Sequence, residues 1–162
     1  MESKLVRVGM ADMKIAYPPD KLVTVGLGSC VGVIIYDMNH EFAGMVHIML
    51  PKSKENMAGQ NIYKFADTGI YALYNNLIKI GAQKNKLLSK IAGGAQMFTL
   101  KSNNDVLKIG RRNVDAVKCI LNELNIPIIS EDVGGNYGRT IEFDIEHGTL
   151  NVKTIGFGEK SI

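Results

Sequence analysis

The chain has 162 residues, enough for one domain with a proper core and short for two of ordinary size; its 46% hydrophobic and 22% charged residues are ordinary for a globular protein and exclude disordered and fibrous architectures. A formal net charge of +3, with lysines and arginines scattered rather than blocked, gives no support to nucleic-acid binding. The opening M-E-S-K-L-V-R-V carries no signal-peptide core and nowhere do about 18 apolar residues follow one another, so the expectation is a cytoplasmic protein without membrane insertion.

In chain order the pattern is mixed α and β, over a single domain spanning residues 1–162. Lys4 to Val8 is a short β-like run, M-A-D-M-K-I-A-Y a second, and Pro18-Pro19 forces an extended turn because proline fixes its own φ and disfavours helix before it. Leu22 to Leu27 and Val31 to Asp37 are strands rich in valine and isoleucine. The second is apolar on both faces, with Val31, Val33 and Ile35 on one side and Ile34 and Tyr36 on the other, so it should be covered on both sides. Glu41 to Leu50 is the return strand, closed by Pro51.

A polar loop then leads into a helix predicted from about Ile62 to Ile80, where Ala66, Ile70, Leu73, Leu77 and Ile80 line one face and Gly81 is placed as a stop. Leu87 to Ala92 reads as a strand ending at Gly93-Gly94, and Ala95 to Lys108 as loop. A second helix is predicted from about Arg111 to Leu124, with Val114, Val117, Leu121 and Leu124 inward and Cys119 as packing. Ile128 to Val133, Thr140 to Ile145 and Leu150 to Ile155 complete the strands, separated by G-G-N-Y-G and His147-Gly148. The fold class this implies is α/β of the α+β type: a layered sandwich of a mostly antiparallel sheet with two main helices.

The stretch T-V-G-L-G-S-C-V-G-V-I-I-Y, Thr24 to Tyr36, carries Cys30 where a glycine-rich turn meets a β-prone run, a position at once rigid and accessible. Its candidate partner is His47 on the return strand. A two-residue turn at Met38-Asn39 sets Cys30 opposite His47; one at Asn39-His40 sets it opposite Met49, with His47 on the same face at a diagonal distance of about 7 Å. A three-residue loop without a bulge would put the two side chains on opposite faces.

Such a pair suits nucleophilic catalysis. A free cysteine has a pKa of about 8.5, and pairing with an imidazolium lowers it. The thiolate attacks a carbonyl carbon, protonated His47 gives its proton to the departing nitrogen, and the imidazole then activates the water that hydrolyses the thioester. Backbone N–H groups around Gly28, Ser29 and Cys30 are placed to stabilise an oxyanion, and the hydroxyl of Thr24 is a candidate to orient the imidazole. Taken singly, a cysteine in an apolar strand reads as packing, and a histidine there as structural. It is the pair in hairpin register that argues for chemistry. His40 and His147 lie beside turns and read as solvated, and Lys108, Arg111 and Arg112 as a solvated basic edge. Cys30 and Cys119, without C-x-x-C, give neither a zinc pattern nor a disulfide framework. A nucleotide-binding reading of Gly26 and Gly28 fails because Val31 stands where G-x-G-x-x-G needs its last glycine, and β-branched residues follow.

T-V-G-L-G-S-C-V-G-V-I-I-Y-D at Thr24 to Asp37 and G-M-V-H-I-M-L-P at Gly44 to Pro51 resemble the signature of the CheD family of chemoreceptor glutamine deamidases. I-A-G-G-A-Q-M-F at Ile91, I-G-R-R-N-V at Ile109 and D-V-G-G-N-Y-G-R at Asp132 resemble it too, in the same order. The resemblance implies Cys30 as nucleophile, His47 as acid and base and Thr24 as third member, a layered fold similar to the catalytic domains of deamidating toxins, and no metal or organic cofactor. It further implies hydrolysis of glutamine side-chain amides in methyl-accepting chemotaxis receptors, whose cytoplasmic helices would be the substrate. A CheC-type phosphatase would be a second partner; stimulating that phosphatase, with little deamidation, is the alternative role. Some members of that family act as receptor methylesterases.

Overall fold

The computed structural model of the chain describes residues 2–97 and 108–162. Ten strands among them form two five-stranded sheets, and two α-helices cover one of these. The strands are β1 (Leu5–Arg7), β2 (Met13–Ala16), β3 (Lys21–Leu27), β4 (Val31–Asp37), β5 (Ala43–Ile48), β6 (Leu87–Gly93), β7 (Ile128–Val133), β8 (Arg139–Asp144), β9 (Thr149–Thr154) and β10 (Gly158–Ser161); the helices are α1 (Ala66–Lys79) and α2 (Ile109–Glu123). The central sheet runs β2-β5-β4-β6-β7 and the outer sheet β1-β3-β8-β9-β10. Only β1 with β3 and β6 with β7 pair in parallel; the other described pairings are antiparallel.

The expected α+β sandwich of mostly antiparallel strands and two helices is therefore what the chain forms, with the strands shared between two sheets. β4 is the reason for three layers. It lies between β5 and β6, and all seven of its residues are buried. Val31, Val33 and Ile35 belong to the core beneath the helices, together with Ile70, Leu73 and Leu77 of α1 and Val117 and Leu121 of α2. Ile34 and Tyr36 belong to a second core between the sheets, with Leu22, Leu27, Ile141, Phe143, Leu150 and Val152. A strand apolar on both faces can bury neither against water, so it takes a cover on each side.

Two elements differ from the sequence expectation. The helix read as Ile62 to Ile80 is divided: Ile62–Lys64 is a 3-10 turn, Phe65 is extended at φ −110° and ψ 140°, and α1 starts at Ala66. Phe65 is buried and bridges to Leu50, while Met49 and Leu50 both donate their N–H to the Lys64 carbonyl, so the chain leaving β5 is tied to the start of the helix. Ile80 falls past the helix end and is exposed, where Gly81 turns the chain at φ +106°. β10 is a strand of four exposed residues that no alternation marks. Of the stretch Ala95 to Lys108 read as loop, residues 98–107 lie outside the described residues.

At one end of the sandwich a buried ion pair joins the layers. Arg139 of β8, 1% exposed, reaches Asp132 of β7 at 3.3 Å and the Gly93 carbonyl of β6 at 3.4 Å, and stacks over the Tyr137 ring at 4.6 Å. Most of the hold between the sheets is nevertheless apolar. Phe143 is fully buried there, with its ring centroid 5.0 Å from that of Tyr36. Phe143→Ala should lower stability by about 3–5 kcal/mol, as truncation of a core aromatic does; urea unfolding measures it, and a loss below about 1 kcal/mol would contradict the two-sheet core.

Candidate active site

The site begins with a hydroxyl on the outer sheet. Thr24 of β3 lies just before a bulge that shifts the β3–β8 register between Thr24 and Leu27, and its side chain is turned into the inter-sheet space with 2% exposure. Its Oγ1 donates to the Val8 carbonyl at 2.6 Å and stands 2.8 Å from Nδ1 of His47 on the central sheet. A hydroxyl has one proton, and here the Val8 carbonyl takes it. Thr24 must then accept from His47, which places the imidazole proton on Nδ1 and leaves a lone pair on Nε2. That Nε2 is buried and has no protein partner.

His47 is also held through its backbone. Its N–H donates to the Asp12 carbonyl and its carbonyl accepts from Ala11, each at 3.1 Å, so the β1–β2 connection fixes it from the side away from β4. On the β4 side it pairs with Gly32, and Val31 pairs with Ile48. Continuing this register sets Cys30 opposite Met49, the arrangement expected of a turn centred on Asn39-His40, with His47 on the same face as Cys30. The observed connection fits: Asp37 donates its N–H to the Phe42 carbonyl, and its carboxylate accepts from the N–H of Asn39.

Gly32 was not singled out from the sequence, though a glycine inside a β-branched run often marks a close approach. A Cβ there would stand 2.6 Å from Cδ1 of Ile141 and 3.6 Å from Cγ2 of Thr24. Its missing side chain lets the outer sheet come near enough for Thr24 to reach His47.

Cys30 is a free, half-buried thiol that packs against the inter-sheet core just before β4 begins. The turn carrying it is braced from β6: the Cys30 carbonyl accepts from Gly94 and the Gly28 carbonyl from Ala95, both at 2.8 Å. Gly93, at φ +117°, is the residue this brace demands, since a Cβ there would lie 2.2 Å from the Cys30 oxygen. The Gly28 N–H is itself engaged by the Gly26 carbonyl, so Gly28 supports the turn, whereas the N–H groups of Ser29 and Cys30 donate to no backbone carbonyl in it.

A second residue missed from the sequence is Asn113 of α2. It is fully buried, and its Nδ2 donates to the Ser29 carbonyl at 2.9 Å and the Met49 carbonyl at 3.0 Å. The signal was available: Asn113 is a polar residue on the apolar stripe of a helix, one position before Val114.

Other expectations are placed elsewhere. Cys119 was expected to pack and is exposed, 3.9 Å from a Glu123 carboxylate oxygen; it sits two positions from Val117 and so turns away from the buried face. His147 is exposed beside Asp144, and His40, in the turn between β4 and β5, bonds to the Glu146 carbonyl. Lys108 and Arg111 line a recess of about 330 Å³ with Gly94, Val114 and Val133.

Burial pushes the Cys30 thiol above its ordinary range, partly opposed by its own backbone N–H, and pushes His47 below the usual histidine value. Both shifts favour the neutral thiol and the neutral imidazole. The direction is opposite to that of the thiolate–imidazolium pair expected from the residue types, because burial disfavours both charges. In a Cys119→Ser background, Cys30 should react with iodoacetamide more slowly at pH 7 than a free cysteine, with a rate still rising above pH 9. A rate already at its plateau below pH 7 would show a preformed ion pair.

Comparison with known proteins places the chain in a family. The profile of the family CheD, described as chemotactic sensory transduction, matches residues 49–154. A protein of Caldanaerobacter subterraneus named probable chemoreceptor glutamine deamidase CheD is 57% identical over the full length of both chains. Chemoreceptor glutamine deamidases CheD of Halalkalibacterium halodurans and Bacillus subtilis are 52% and 49% identical, over 98% and 99% of this chain and 98% of each of theirs. Among solved structures a Neisseria meningitidis protein aligns with a TM-score of 0.45 at 8% identity, over 82% of this chain and 63% of that one. With full-length relatives at this identity, the chain belongs to the CheD family.

Proposed function

We propose that this chain is a cysteine-dependent protein-glutamine deamidase whose substrates are glutamine side chains on the cytoplasmic helices of chemoreceptors. The observation that carries the reading is His47, whose Nδ1 lies 2.8 Å from Thr24 Oγ1 and whose Nε2 is buried with no partner among the described residues, on the same strand face as Cys30. The names of the full-length relatives support the substrate class. Residues 1–162 would act as one catalytic domain in the cytoplasm; no helix of the described residues is long and apolar enough to cross a membrane.

The reaction follows from a neutral pair. As sulfur attacks the carboxamide carbon, Nε2 takes the thiol proton, so charge develops only as the C–S bond forms. The carbonyl π electrons move to oxygen, where the N–H groups of Cys30 and Ser29 would meet the oxyanion. The imidazolium, still bonded through Nδ1 to Thr24, returns its proton to the nitrogen, and the C–N bond breaks to release ammonia and leave a thioester on Cys30. Water then replaces ammonia. Nε2 takes its proton, hydroxide adds to the thioester carbon, and collapse of the adduct releases the glutamate side chain and restores the thiol. Every step uses side chains and backbone of this chain, and no cofactor is assigned.

A receptor cytoplasmic fragment from the same organism, incubated with the protein, should gain about 1 Da per converted glutamine, since NH₂ becomes OH, and Cys30→Ala should abolish the gain. Peptide mass spectrometry locates the sites. A gain that persists with Cys30→Ala would overturn the nucleophile, and no gain with either protein would move the assignment to binding and stimulation of a CheC-type phosphatase.

A further inference from the structure

The position of Asn113 has a consequence for the turn it holds. β4 and β5 stop pairing at Val31 and Ile48. Beyond that point the two chains part: Met49 and Leu50 turn to the Lys64 carbonyl, and Cys30 turns to Gly94. The carboxamide of Asn113 fills the fork, with both protons of one nitrogen on the carbonyls of Ser29 and Met49. Rotating the amide by a half turn would set its oxygen against two carbonyl oxygens, so the orientation is dictated by the partners. Oδ1 is left buried with no donor among the described residues.

The Ser29–Cys30 peptide is planar and trans, so its C=O and N–H point in opposite directions. Fixing the Ser29 carbonyl on α2 therefore aims the Cys30 N–H away from α2. Nothing else described holds the Ser29 carbonyl. The brace from β6 acts on the carbonyls of Cys30 and Gly28, one peptide to either side. Gly110, one turn earlier on α2, seats the helix close enough: a Cβ there would lie 2.3 Å from the Ala95 oxygen.

We propose that Asn113 is a positioning residue for the oxyanion hole, which by pinning the Ser29 carbonyl holds the Cys30 N–H on the oxygen of the tetrahedral intermediate. The proposal rests on the deamidase reading of the site, and its test separates the two. In Asn113→Ala, kcat for deamidation of the receptor fragment should fall about 100-fold, the scale of losing one oxyanion donor, with KM within about two-fold. Alkylation of Cys30 by iodoacetamide, a displacement at saturated carbon that builds no oxyanion, should change less than about three-fold at the same pH. A kcat within about three-fold of wild type would overturn the proposal, as would an alkylation rate that falls in parallel with kcat. Cys30→Ala that still deamidates would instead overturn the reading of the site. Should Asn113→Ala not fold, the wild-type protein answers through a crystal structure with a peptide whose glutamine carboxamide is replaced by an aldehyde. The thiol adds to it, and the hemithioacetal oxygen should lie about 3 Å from the Cys30 nitrogen; an oxygen directed away from that nitrogen would overturn the proposal.

Discussion

One hydroxyl proton organises this molecule. Thr24 gives it to the Val8 carbonyl and can therefore only accept from His47, so a single hydrogen-bond choice on the outer sheet fixes the tautomer of an imidazole on the central sheet. The contact crosses a mostly apolar core, which is why its geometry depends on what sets the spacing of the sheets: Leu22, Ile34, Ile141 and Phe143 filling the interior, and Gly32 leaving it empty where Thr24 must pass. The packing and the chemistry are one arrangement seen at two depths.

The same burial that positions Cys30 and His47 disfavours a charge on either, which would suit the proposed reaction. A carboxamide is a poor electrophile whose nitrogen must be protonated to leave, so under the proposed mechanism an imidazole that gains its proton only during attack would hold it at the moment the leaving nitrogen needs it. The cost falls on buried polar atoms without partners, among them Nε2 of His47 and Oδ1 of Asn113. Such atoms destabilise a fold and are retained where function depends on them. Around them the structure is tightly held: Arg139 and Asp132 tie the sheets together beside Gly93, and Gly93 and Gly94 lie against the Cys30 carbonyl.

Much of this was legible in the sequence because it is local. β4 announced its two cores through Val31, Val33 and Ile35 on one face and Ile34 and Tyr36 on the other, and the hairpin put Cys30 and His47 on one face in either allowed register. The division into two sheets was not legible, since it depends on pairings between distant segments, β3 with β8 and β6 with β7, that no periodicity encodes. Thr24 was found by its place before Cys30; its tautomer-setting role needed Val8, just past the end of β1, to be seen beside it. Cys119 was misread although helical spacing from Val117 turns it outward. Asn113 and Gly32 were overlooked because each acts through a neighbour's backbone or through absent volume, and neither carries a reactive group.

The central claim is that Thr24 fixes His47 with its proton on Nδ1 and an open lone pair on Nε2. The most direct measurement is the ¹⁵N chemical shifts of the His47 ring at pH 7 in labelled protein. A proton-bearing shift at Nδ1 and a pyridine-type shift at Nε2 is the predicted result, with the two nitrogens averaging in Thr24→Val. The reverse assignment, or a doubly protonated ring at pH 7, would contradict the account.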